Sequence, residues 1–281
     1  MKGIVEKEWL FKNLHNPMVK IIDCRFSLSN PENGRNEYMK NHLPGAVYFD
    51  LEKDLSAAPE IHGGRHPLPD MSEFIQKIEV AGIGNSSQIV VYDNGEGSFA
   101  ARFWWMMKYI GHKDVFVLNG GYRAWAANDF PAEQQIPSFK RTSYKPNFRR
   151  ELMAEYKEVK ELSSSLNPDK ILIDSRETKR FSGMEEPIDK KAGRIPGAVN
   201  YPWFEGLREG FYKSVDEQRQ RFSKIDKSKE VIIYCGSGVT AAPNFLALKE
   251  AGFENVKLYV GSFSDWISYD ENPIETDKQD I

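Results

Sequence analysis

The chain has 281 residues, 40% of them hydrophobic and 28% charged, with a formal net charge of -3, which describes a globular protein of one or two domains. No apolar run has the length of a membrane span, and the weakly acidic balance gives no reason to expect nucleic-acid binding. The only two cysteines, Cys24 and Cys235, are far apart in sequence, which argues against a disulfide framework and leaves too few thiols for a zinc site. In chain order, the first eight residues carry no apolar signal core, so a reducing, cytoplasmic setting is expected. Lys20-Ile21-Ile22-Asp23 reads as a strand ending at Cys24-Arg25, and His42-Leu43-Pro44-Gly45-Ala46-Val47-Tyr48 follows it. Gln88-Ile89-Val90-Val91-Tyr92 is a second apolar strand, ending at Asp93. A helix rich in aromatics runs from about Ala100 and ends near Gly111; its aromatic stripe reads as core. Val115-Phe116-Val117-Leu118 then leads into Gly120-Gly121-Tyr122-Arg123-Ala124-Trp125.

The same four signals recur in the same order. They are Lys170-Ile171-Leu172-Ile173-Asp174-Ser175-Arg176, Arg194-Ile195-Pro196-Gly197-Ala198-Val199, Glu230-Val231-Ile232-Ile233-Tyr234-Cys235 and Val256-Lys257-Leu258-Tyr259-Val260-Gly261-Ser262. Four ordered matches indicate two copies of one α/β unit, each a mainly parallel sheet flanked by helices. The expected division is residues 1–136, a linker over 137–151, and residues 152–281. The linker contains Pro137 and Pro146 and a basic cluster, Lys140, Arg141, Lys145, Arg149 and Arg150, read as a solvated face.

The copies differ at the end of the second apolar strand. Copy one has Asp93 there, in the acidic loop Asp93-Asn94-Gly95-Glu96-Gly97-Ser98. Copy two has Cys235, then Gly236-Ser237-Gly238-Val239-Thr240, then a helix from about Ala242 to Glu250 stopped by Gly252. The carboxyl edge of a parallel sheet is where ligands bind, and loop N–H groups with a helix N-terminus favour an anion. A cysteine at that point is expected to act as a thiolate nucleophile, although a buried small hydrophobe closing a strand would look similar. Copy two therefore carries the chemistry and copy one supports it. Cys24, with no glycine loop, is read as structural.

The tandem units, the loop Cys235-Gly236-Ser237-Gly238-Val239-Thr240, the Asp-x-Arg strand ends, Gly63-Gly64-Arg65-His66-Pro67-Leu68-Pro69 and the two Gly-x-x-x-x-Trp segments together resemble the two-domain rhodanese-like sulfurtransferases over nearly the whole chain. The resemblance implies two tandem rhodanese-like domains and sulfane-sulfur transfer through a persulfide on Cys235. The backbone of 236–240, including Gly236, Gly238, Val239 and Thr240, would cradle the anion. It implies no metal or organic cofactor. The loop resembles the 3-mercaptopyruvate type, whereas thiosulfate-type loops carry cations beside the cysteine. So 3-mercaptopyruvate is the favoured donor and thiosulfate the alternative, with a thiol such as thioredoxin, or cyanide, as acceptor. Ser237 would assist proton transfer and Arg180 would hold the donor's carboxylate. The second arginine expected of this branch is replaced by Ile188. Arg194 is an anion clamp or a surface residue, His66 a proton carrier or a hydrogen-bonded structural histidine, and Asp54 a weaker candidate partner. Arg102 is given a structural role near the Asp93 loop. Rival readings also follow. A cysteine phosphatase would need an arginine six residues past the cysteine, where Ala241 stands. A non-enzymatic rhodanese-like binding module is opposed by the intact Cys235 with its complete glycine loop, and a persulfide carrier would pass its sulfur to another protein.

Overall fold

The computed structural model describes residues 3–165 and 167–277. Its backbone falls into two units. The first comprises Met1–Ala57, Leu68–Arg149 and Glu209–Tyr212; the second comprises Ala58–Pro67, Arg150–Arg208 and Lys213–Ile281. The segment Ala58–Pro67 thus lies within copy one in sequence but belongs to the second unit.

The first unit contains β1 (Ile4–Val5), α1 (Lys7–Asn13), β2 (Val19–Asp23), α2 (Glu32–Lys40), β3 (Ala46–Tyr48), α3 (Met71–Val80), β4 (Gln88–Tyr92), α4 (Ser98–Tyr109), β5 (Val115–Leu118) and α5 (Gly121–Ala126). The chain continues with β6 (Met153–Ala154), α6 (Tyr156–Ser165), β7 (Lys170–Asp174), α7 (Thr178–Phe181), β8 (Val199–Asn200) and β9 (Leu207–Arg208). The short β10 (Phe211–Tyr212) clusters with the first unit. The rest of the second unit is α8 (Val215–Arg221), β11 (Glu230–Tyr234), α9 (Ala241–Ala251), β12 (Val256–Tyr259) and α10 (Ser262–Trp266).

Each unit has a five-stranded sheet, ordered β1-β5-β4-β2-β3 in the first and β6-β12-β11-β7-β8 in the second. Every pairing within these sheets is parallel. The two orders are one topology written twice, as the ordered repeats require. Register is conserved as well: Asp23 faces Tyr92 across β2 and β4, and Asp174 faces Tyr234 across β7 and β11.

Helices cover both faces of a parallel sheet, so its central strands read as continuous apolar runs. Val231, Ile232, Ile233 and Tyr234 are all buried. In α4 every residue is buried, including Phe103, Trp104, Trp105, Met106 and Met107, so the aromatic stripe is core. α9 is buried over most of its length and stops at Gly252, whose φ of 94° is the left-handed cap expected there. Residues 134–149 contain no helix or strand and are fastened to the first unit. Arg141 pairs with Glu79, and the Thr142 hydroxyl donates to the Ile83 carbonyl at 2.6 Å. Among the described residues, no helix is long and apolar enough to cross a membrane.

Each copy seals the carboxyl edge of its second strand with a buried Asp-x-Arg pair. Arg25 meets Asp23 at 2.7 Å, and Arg176 meets Asp174 at 2.6 Å. All four side chains are essentially inaccessible. Removing only the cation would strand buried carboxylates. Arg176→Met is therefore expected to lower unfolding stability by about 3–5 kcal/mol, read from urea denaturation midpoints. Lys179→Ala, which breaks an exposed pair with Glu185, should change stability by under about 0.5 kcal/mol.

Candidate active site

β11 delivers Cys235 to the carboxyl edge of the second sheet, and the loop that follows feeds α9. The Cys235 side chain is buried, with the residue only 1% exposed, and its Sγ accepts the Gly238 N–H at 3.1 Å. The loop is pinned from behind by the start of α10. The Cys235 N–H donates to Ser262 Oγ at 3.1 Å, and the Cys235 and Gly236 carbonyls accept the Phe263 and Ser264 N–H groups at 2.9 Å each. Gly238 has φ +75°, and a Cβ there would lie 2.2 Å from the Val260 carbonyl oxygen, so only glycine lets the loop close around the sulfur. Val239 is buried and Thr240 is the N-terminal cap residue of α9.

Ser262 is a residue the sequence reading missed. It holds a left-handed φ of 56°, and its hydroxyl donates to the Tyr259 carbonyl while accepting from Cys235. The signal was available in the internal repeat, because Ser262 stands where copy one has Gly121, with φ 57°.

Above the loop, His66 Nδ1 and Ser237 Oγ are 2.8 Å apart, and both residues are buried. The segment Ala58–Pro67 brings His66 there by docking on α10: Gly63 donates to Asp265 Oδ1 at 2.7 Å and Arg65 N–H to Ser264 Oγ at 3.1 Å. Arg65 and Arg180 also reach the loop. A Cβ on Gly236 would lie 2.9 Å from Arg65 Nη2 and 3.4 Å from Arg180 Nη2, so the absence of a side chain there admits both guanidiniums. Burial lowers the Arg65 guanidinium from the ordinary arginine range, and its proximity to Cys235 acts the other way.

The two cations are already balanced. Arg180 Nε reaches both Glu186 oxygens at 3.0 Å, and its Nη2 meets Asp189 Oδ2 at 2.7 Å. The other Asp189 oxygen pairs with Arg65 Nη1. Arg176 links Glu186 back to Asp174, with Nη1 at 3.2 Å from Glu186 Oε2. An alternating ladder of charges thus runs from the strand end to the loop: Asp174, Arg176, Glu186, Arg180, Asp189, Arg65. Asp189 and Glu186 were not foreseen as parts of a site.

Two expected participants are engaged elsewhere. The Arg194 guanidinium is committed to the C-terminal segment: Nη2 meets Glu275 at 2.5 Å, Nη1 meets Asp277 at 2.8 Å, and the group stacks over the Phe181 ring. Those partners account for it without a substrate. Asp54 pairs with Lys77 at 2.8 Å and accepts the Asp50 N–H within the first unit. Arg102 is fully buried and donates to the Leu55 carbonyl. Cys24 is 1% exposed, and burial, with the Asp23 carboxylate next, pushes its thiol well above the ordinary range. That is the setting of an inert thiol.

Copy one shows what its loop does with an aspartate in place of cysteine. The Asp93 carboxylate accepts the N–H groups of Gly95 and Gly97 at 2.9 Å and those of Phe99 and Ala100 at 3.2 and 3.1 Å. The donors of this acidic loop converge on an anion, but one supplied by the chain itself.

The Rhodanese-like domain model matches residues 6–128 and 155–269. The chain belongs to the rhodanese-like domain family. It is 38% identical over 281 residues to a Pseudomonas aeruginosa protein named probable 3-mercaptopyruvate sulfurtransferase, covering 97% of this chain and 98% of that one. It is 34% identical over 279 residues to the thiosulfate sulfurtransferase of Rattus norvegicus, covering 94% and 92%. The crystal structure of an Escherichia coli 3-mercaptopyruvate sulfotransferase superposes with a TM-score of 0.81 at 32% identity, covering 94% of this chain and all of that one.

Burial, then the Glu96 charge, raise the Asp93 carboxyl to about 6 against the opposing pull of its backbone donors. A carboxyl raised in the folded state holds its proton better when folded. Its stability contribution is therefore present below about pH 4 and is lost as pH rises through about 6. Asp93→Asn lacks that loss. The variant should gain on the parent by on the order of 2–3 kcal/mol between pH 4 and 7, read from denaturant unfolding across that range; a pH-independent difference would contradict the assignment.

Proposed function

We propose that this chain is a sulfurtransferase that takes a sulfane sulfur from 3-mercaptopyruvate onto Cys235 and passes it to a thiol acceptor. The observation that carries the donor reading is the hydrogen bond between His66 and Ser237 beside the nucleophile, in a loop that itself contains no cation. The Cys235 thiolate attacks the donor's sulfur, the carbon–sulfur bond breaks, and its electron pair leaves on the enolate of pyruvate. A proton delivered through Ser237 and His66 turns that enolate into pyruvate. Cys235 keeps the sulfur as Cys-S-S⁻, and an acceptor thiolate then attacks the outer sulfur and releases the Cys235 thiolate.

Copy one supports the cradle. The Asp93 oxygens lie two bonds beyond Cβ, and the outer sulfur of a cysteine persulfide also lies two bonds beyond Cβ. A loop of this kind that satisfies a carboxylate with backbone N–H groups has the reach to stabilise a persulfide anion, as an oxyanion hole stabilises oxygen. Gly236, Gly238, Val239 and Thr240 form that cradle in copy two.

Thiosulfate is the second reading, favoured by one observation: Arg65 and Arg180 flank Gly236 and would meet a dianion there. Against it, both guanidiniums are neutralised by Glu186 and Asp189. Thioredoxin, another thiol or cyanide serves as acceptor. Two sequence-distant free cysteines suit a reducing compartment such as the cytoplasm.

Steady-state transfer to a thiol should give a higher kcat/KM with 3-mercaptopyruvate than with thiosulfate; the reverse order would overturn the donor reading. Cys235→Ser should abolish turnover with both donors, and Cys24→Ser should leave it nearly intact. His66→Gln and Ser237→Ala should each lower kcat for 3-mercaptopyruvate by about 10²–10⁴-fold. Acting as one unit, their losses should not multiply in the double variant, and additive losses would mean the two do not share a proton path.

A further inference from the structure

Asp189 is an acidic side chain buried at the mouth of the Cys235 loop, only 1% exposed, with each oxygen on a different guanidinium. Its backbone N–H is anchored on Glu186 at 2.9 Å, so the side chain can turn without moving the chain. The neighbouring Ile188 is exposed and brings no charge. A second guanidinium arrives from the other side, as Arg65 on the docked segment Ala58–Pro67. A cavity of about 520 Å³ opens at this point, lined by Arg65, Ile188, Asp189, Lys190, Ser264 and Ile267.

We propose that Arg65 joins Arg180 in the seat for the donor's carboxylate, and that Asp189 fills this seat until the donor displaces it. The proposal rests on the reading of the donor as a 2-keto acid. Two guanidiniums facing one carboxylate is the geometry of a bidentate anion clamp, and Arg forks suit it better than Lys. Replacing one carboxylate by another leaves the pocket's charge unchanged, so the donor binds without burying an unbalanced ion. Asp189 also keeps the two cations from repelling one another while the seat is without donor. A dianion such as thiosulfate would unbalance the exchange, which gives the seat a preference for monocarboxylates.

Pyruvate tests this without any sulfur chemistry. Its apparent Kd is read as protection of Cys235 from alkylation by iodoacetamide, in the parent protein and in Arg65→Gln, Arg65→Lys and Asp189→Asn. Arg65→Gln should weaken pyruvate by about 10- to 100-fold, with Arg65→Lys recovering part of the loss. Asp189→Asn, which removes the internal competitor, should tighten pyruvate by several-fold. The KM for 3-mercaptopyruvate should move in the same two directions, ahead of any change in kcat. Opposite signs are the signature, because a purely structural Arg65–Asp189 tie would make both variants weaker. Equal Kd values for Arg65→Gln and parent, a weaker Asp189→Asn, or no pyruvate protection in the parent would each overturn the proposal. If Arg65→Gln does not fold, the sign of the Asp189→Asn change decides. A parent protein that binds pyruvate as described but does not turn over 3-mercaptopyruvate would remove the donor reading and leave the seat standing.

Discussion

A sulfur buried at the end of a strand can carry negative charge only if backbone donors surround it, and most of the second unit's local detail serves that condition. Gly238 lets the loop turn with its N–H on Sγ, because any side chain would strike the Val260 carbonyl. Ser262 accepts a left-handed backbone so that its hydroxyl can take the Cys235 N–H. The α10 backbone takes the loop's carbonyls, which turns their dipoles away from the sulfur. The duplicate unit obeys the same condition by another route, with Asp93 bringing its own charge into its ring of donors. One architecture thus presents a filled cradle in one copy and, in the proposed mechanism, a cradle to be filled by transferred sulfur in the other.

The second requirement is charge balance around that site. Both copies inherit a buried Asp-x-Arg pair at the strand end, Asp23 with Arg25 and Asp174 with Arg176. In copy one the arginine finishes on the Asn41 carbonyl and stacks over Tyr122. In copy two the pair is extended through Glu186, Arg180 and Asp189 to Arg65. This extension couples the sheet edge to the loop mouth with alternating signs, so guanidiniums stand beside the Cys235 loop at little net electrostatic cost. A charge ladder of this kind explains how a loop lacking its own cations keeps cations at its mouth.

The fold was legible in the sequence because its evidence is local and repeated. Four apolar signals in one order give two parallel sheets of one topology, and the Gly252 stop and the buried aromatic helix follow from single stretches. The geometry at the loop was legible in part. Cys235 and its glycines advertise themselves, and Gly63 to Pro69 marked His66, which meets Ser237 across more than a hundred residues of sequence. What stayed hidden depends on partners that no local pattern ties together. Arg194 could be read as a clamp or as a surface residue, and its engagement by Glu275 and Asp277, some eighty residues on, was invisible locally. Asp189 looked like one charge in a polar stretch, because its meaning comes from two arginines on separate segments. Ser262 was the exception, since comparison with Gly121 exposes its unusual backbone position from the repeat alone.

The proposed mechanism requires that Cys235 carry transferred sulfur. The most direct measurement is intact-mass spectrometry with peptide mapping after exposure to 3-mercaptopyruvate in the absence of an acceptor. The account predicts the gain of one sulfur atom on the peptide containing Cys235, removed by added thiol, with the Cys24 peptide unchanged. An unmodified protein, or sulfur on Cys24, would contradict it.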